Sequence, residues 1–144
     1  LALIFKGNIM PSNTKATGVA YLDPEFSTVY ATEEIGYAPT AQGTVTQATN
    51  KGTGVTLNKS AGKITMNAAS LGAGASVTFT LTNSAISAND VVIVNVSGGG
   101  TAGAYWPYVS SMAAGSVVIG LWNSTGGALA EAVVLNFAII HCAT

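Results

Sequence analysis

Arginine is absent from these 144 residues, and other charges are scarce. Five lysines and six acids make up 8% of the chain, against about 25% in an average globular protein. A free domain usually stays in solution behind a surface that is about 25–35% charged. Uncharged polar groups, other chains or both must cover this one. The formal net charge of −1 excludes binding to nucleic acid through clustered Lys and Arg. Lys51, Lys59 and Lys63 form the one local concentration, and with nothing to reinforce them they read as solvated strand and turn residues. Long apolar runs are missing too. A spanning helix needs about 20 such residues, and the longest candidate, Ala132–Ile140, is shorter and contains Asn136. No membrane partner is expected.

Catalytic residues are as scarce as charge. Nucleophilic catalysis needs a nucleophile, a base and an orienting group, yet the single histidine, His141, ends an apolar run. Zinc needs three or four ligands; His141 and the single cysteine, Cys142, supply two, and adjacent strand residues point to opposite faces. One cysteine also makes no internal disulfide. Asp23, Glu25, Glu33 and Glu34 cluster without other polar machinery and read as solvated or partner-contacting acids. Gly98–Gly103 lacks the Lys-Ser/Thr ending of a phosphate loop and reads as a turn. The expectation is a protein that is not an enzyme and holds neither cofactor nor metal.

What is present is β-forming sequence. Ser76–Thr82 alternates, with Val77, Phe79 and Leu81 on one face and Ser76 and three threonines on the other. Val55–Asn58 and Ile64–Asn67 do so more briefly. Gly- and Asn-rich turns separate the runs at Asn50–Gly54, Gly72–Gly74, Ser97–Gly100 and Asn123–Gly127. Asn67–Leu71 and Ala128–Ala132 alone look briefly helix-compatible. Strands at this spacing predict an all-β chain, a jelly-roll-like β-sandwich over residues 43–144. Residues 1–42 differ. They hold Pro11, Pro24 and Pro39, three of the five tyrosines and four of the six acids. They read as an extended N-terminal arm with short strands near Leu3–Ile9 and Gly18–Leu22.

Two runs, Val91–Val96 and Ala132–Ile140, are apolar at both parities and so call for cover on both faces. A two-layer sandwich covers one; the other is expected to meet the arm or another copy of the chain, in closed symmetry. A weak repeat links the same regions. Ser76–Ser84 aligns without gaps on Ser116–Ser124, matching Ser, Val, Leu, Asn and Ser, and each copy leads through a loop into one of the apolar runs. An old duplication and mere similarity of composition both explain it. Tyr105-Trp106-Pro107-Tyr108 concentrates aromatics, with Pro107 holding Trp106 extended. Such rings stack on sugars, anchor a protein partner or pack a core.

Several of these segments resemble modules of tailed-bacteriophage structural proteins: Gly43–Lys59, Gly62–Asn67, Phe79–Ser84 and Glu131–Ile140. The resemblance covers most of Gly43–Ile140 and implies a β-sandwich that assembles with its own copies on the virion. It carries over no catalytic residues, and it does not reach the arm. The first expectation is a capsid decoration (cement) protein on the outer surface of the head, a homotrimer bound to the major capsid protein. The alternative is the receptor-binding end module of a tail fibre or spike; a tail-tube or adaptor component ranks third. Candidate partner contacts are Leu3, Ile4, Phe5, Tyr21 and Tyr30 in the arm and Tyr105, Trp106 and Tyr108 beyond it.

Overall fold

Alternating apolar residues, β-branched and flanked by glycine turns, fold into eight strands in a computed structural model that describes Tyr30 and residues 32–142. The chain divides into two units, Leu1–Ile35 and Gly36–Thr144. In the first, Tyr30 and residues 32–35 are irregular. The strands expected near Leu3–Ile9 and Gly18–Leu22 lie outside the described residues.

The second unit is a β-sandwich. After a 3-10 turn at Pro39–Ala41, the strands are β1 (Gln42–Thr46), β2 (Val55–Thr56), β3 (Ala61–Thr65), β4 (Ser76–Thr82), β5 (Val91–Gly98), β6 (Tyr105–Ala113), β7 (Ser116–Asn123) and β8 (Val134–Ile140). One sheet runs β1-β3-β8-β5, the other β2-β4-β7-β6. The short β1 and β2 pair parallel with β3 and β4; the remaining pairs are antiparallel. Every connection but the β6–β7 hairpin crosses between the two sheets of the sandwich. Gly115, at φ 80°, takes the left-handed position in that hairpin, where a Cβ would be strained. The edge strands β5 and β6 each carry a register shift, and β6 also carries Pro107, which donates no ladder bond. Both devices blunt an edge against unwanted pairing.

One parity of each strand fills the space between the sheets. Ile64, Phe79, Leu81, Val92, Val117, Ile119, Leu121, Leu135, Phe137 and Ile139 are buried there. The segments read as briefly helical are extended instead: Leu71 and Leu129 bond each other's backbone in an isolated antiparallel bridge, at 2.8 and 3.0 Å. Five residues are too few to offset the cost of nucleating a helix. The last residues of the segment read as an arm lie against the sandwich. Tyr37 donates its hydroxyl to the Ile139 carbonyl, Lys59 bonds Thr40 O at 2.8 Å, and β1 begins at Gln42.

The sequence repeat has a spatial counterpart. Phe79 and Ile119, equivalent in the two copies, are direct cross-strand partners at the middle of the β4–β7 pair. Asn83 N bonds Gly115 O and Asn123 N bonds Ala75 O, both at 2.9 Å. Each of these buried asparagines then accepts the backbone N–H two residues on, at 3.0 Å. In the other sheet Asn95 of β5 faces Asn136 of β8. The symmetric roles favour an internal repeat of a strand–loop–strand unit.

Candidate functional site

Three polar or aromatic constellations stand out, and the first two are structural. Asp90, buried in the β4–β5 loop, accepts from Ser87 N and Ser87 Oγ at 2.8 Å and from Cys142 N at 3.0 Å, with His141 Nδ1 at 3.1 Å. The Ser87 N–H is the largest of the influences that hold this carboxyl well below the usual carboxylate range, and the other three donors act the same way against the opposing effect of burial. Serine, histidine and aspartate meet here, but in the wrong order for acyl transfer. The acid is in the middle and Ser87 donates to it, so no base faces the hydroxyl. The cluster ties the β4–β5 loop to the residues after β8.

The second lies at one end of the sandwich. Lys51, expected to be solvated, is buried, and Nζ donates to the backbone carbonyls of Asn67, at 2.7 Å, and of Glu131. Burial pushes its pKa down, while the Glu131 carboxylate pulls the other way. That carboxylate accepts Thr101 N at 3.1 Å and Thr101 Oγ1 at 2.9 Å. The buried Tyr105 hydroxyl is pushed up to about 12, first by burial and then by Glu131. Gln47 completes the set, donating to Lys51 O and Thr53 O at 2.9 and 2.8 Å. These bonds occupy loop carbonyls that the strands leave unpaired. Among the described residues no group of three or more His, Cys, Asp or Glu is placed to hold a metal ion.

The third constellation is exposed. Tyr105–Tyr108 forms the start of β6, so alternate residues diverge. Tyr105 points into the core, whereas Trp106 (60% exposed) and Tyr108 (41%) face outward. The structure adds Trp122 (41%) of β7, the direct partner of Trp106. Its indole Nε1 donates to Gly74 O at 3.1 Å, which fixes the ring. Tyr108 lies across Gly120, where a Cβ would stand 2.1 Å from the ring. The result is a ledge of three aromatic rings. Ser76 and Thr78 of β4 continue its two rows, as partners of Trp122 and Gly120. Trp122 stands alone as an aromatic in its strand, so no local cluster marks it in the sequence. The signal was parity: Val117, Ile119 and Leu121 face the core, so Trp122 faces out.

The opposite sheet carries a smaller apolar corner. Val92 and Val94 face the core; Val91 (49%) and Ile93 (53%) face out beside Ile140 (51%). Val91 pairs with Ile140 and Ile93 with Ala138, so the side chains form one patch. Of the arm residues read as partner contacts, Leu3, Ile4, Phe5 and Tyr21 lie outside the described residues, and Tyr30 is exposed. No helix among the described residues is long and apolar enough to cross a membrane. Comparison with protein-family models, with curated proteins and with solved structures finds no match for this chain.

Proposed function

We propose that this chain is a non-catalytic structural protein of a virion, a capsid decoration protein that associates with its own copies and lies on the shell of the major capsid protein. The observation that carries the self-association is the Val91–Ile93–Ile140 corner. Three large aliphatic side chains, each about half exposed, stand together on the outer face of a sheet whose inner face is already filled. In a chain with 8% charge, such a patch marks an interface. The sequence resemblance to phage structural modules supplies the setting, and the trimer is the assembly expected of it.

The test joins mass to copy number. Light scattering of the purified chain is expected to give three times the 14.4 kDa monomer. Ile93→Asp is expected to fold, because its side chain is already half in water, and to run as a monomer. Val92→Asp is expected to unfold, because it strands a charge in the core. A monomeric parent, or a trimeric Ile93→Asp, overturns the interface. On a particle gel a decoration protein approaches the copy number of the major capsid protein; a few copies per particle point instead to a tail fibre.

A further inference from the structure

We propose that the Trp106–Trp122–Tyr108 ledge is a binding site for a neutral carbohydrate, separate from the surface that joins the subunits. Three properties of the ledge converge on that ligand. First, it is preorganised. The Trp122 indole is tethered to Gly74 O and Tyr108 rests on Gly120, so two of the three rings need little further ordering to bind. Second, its rings present flat faces of high polarisability, which pack against the C–H faces of a sugar ring. Adjacent strands are about 5 Å apart, a spacing comparable with the repeat of an extended glycan. Trp106 and Trp122 stand on such neighbours. Third, the surroundings offer hydroxyls and no charge. Ser76 and Thr78 continue the aromatic rows, with Thr80 and Thr82 beyond them in the same column. Neither β4, β6 nor β7 contains a charged residue. An acidic or basic peptide, or a phosphate backbone, finds no counter-charge here. A polyhydroxylated neutral ligand finds stacking faces with hydrogen-bonding groups beside them.

A second copy of the chain is a poorer occupant. The three rings expose on the order of 350 Å² of aromatic surface, less than the 500 Å² or so per partner that a specific protein interface needs. Apart from Val118, the rest of the outward-facing residues on β4 and β7 are small or polar. An area of this size is typical of functional patches on ordinary domains.

The protein reports on its own site, because Trp106 and Trp122 are its two tryptophans. Fluorescence titration with neutral tetrasaccharides of glucose, mannose and N-acetylglucosamine, followed by an array of neutral and acidic glycans, is the experiment. The expected result is a saturable change in tryptophan emission with at least one neutral glycan, with Kd below about 1 mM. Trp106→Ala is expected to weaken it tenfold or more, read from Trp122, while the circular dichroism spectrum and the oligomer mass stay unchanged. Thr78→Ala, which leaves the rings in place, is expected to weaken it severalfold. The proposal is overturned if no neutral glycan binds, if only acidic glycans bind, or if binding survives both substitutions. Loss of the oligomer in Trp106→Ala overturns it as well, and makes the ledge a subunit contact. A monomeric parent that binds sugar sinks the assembly reading and leaves this one standing.

Discussion

Single residues do most of their work here by satisfying backbone groups that the strands leave over. Asp90 is the charged example. Its carboxyl sits below its ordinary range, so the folded state holds the carboxylate more strongly than the unfolded chain does. That stabilisation is complete above the unfolded value, about pH 4, and disappears as the pH falls through the depressed folded value. The chain is therefore expected to lose stability steeply below about pH 4. Asp90→Asn should be less stable at neutral pH and less sensitive to acid, so that the gap between the two curves narrows as the pH falls below about 4. Urea midpoints across that range test this, and parallel curves would sink it. Glu131, lowered by the N–H and hydroxyl of Thr101, adds a smaller acid limb that the variant retains. Asn123 is the neutral example. Its amide serves the carbonyls of Leu71, Gly72 and Gly127, and its oxygen accepts Thr125 N. Asn83, its counterpart, serves Lys59 O and Ala85 N. Replacing Asn123 by Ala strands more buried groups and is expected to cost about 3 kcal/mol in equilibrium unfolding, roughly twice the loss at Asn83. Equal costs would mean that the two caps are not distinguished by the bonds they make.

At the scale of the strand, legibility followed parity. Ser76–Thr82 alternates between a filled core and water, so its sequence states its own structure, and β4 has those bounds. The runs Val91–Val96 and Ala132–Ile140 were legible as strands, but not which parity faces inward. Val92 and Val94 differ from Val91 and Ile93 only in what surrounds them. The start of β6 was hidden by Pro107, which signals a turn in most settings and is tolerated here because β6 is an edge. Trp122 was hidden for another reason. An aromatic ledge is made by two strands in register, and register is a long-range property that no single strand records. Lys51 illustrates the same limit: its burial depends on Asn67 and Glu131, which come from other parts of the chain. The repeat was legible as a sequence echo, but its meaning came from pairing, which places Phe79 against its equivalent Ile119.

At the scale of the whole molecule, the question is which part of the chain the sandwich requires and which part serves a partner. The compact β unit begins at Gly36. Within it, Tyr37 bonds β8, the Thr40 carbonyl bonds Lys59, and β1 covers the edge of β3 along five paired positions. Val45 packs against the core from β1. Removing residues 1–35 therefore takes away none of the described strands of the sandwich. Removing residues 1–46 takes away β1 and leaves the backbone of β3 unpaired at an edge. The shorter truncation is expected to keep the parent's circular dichroism spectrum and Tm, and the longer one to melt at least about 5 °C lower. Attachment should divide differently. On the proposed reading, Leu3, Ile4, Phe5 and Tyr21 contribute apolar anchors, and the acids Asp23, Glu25, Glu33 and Glu34 meet basic groups on the shell. The 1–35 truncation is then expected to remain folded and oligomeric yet fail to co-sediment with undecorated heads. If it binds heads as tightly as the full chain, attachment belongs to the sandwich. If it fails to fold, residues before Gly36 contribute to the core, and the sandwich does not stand alone.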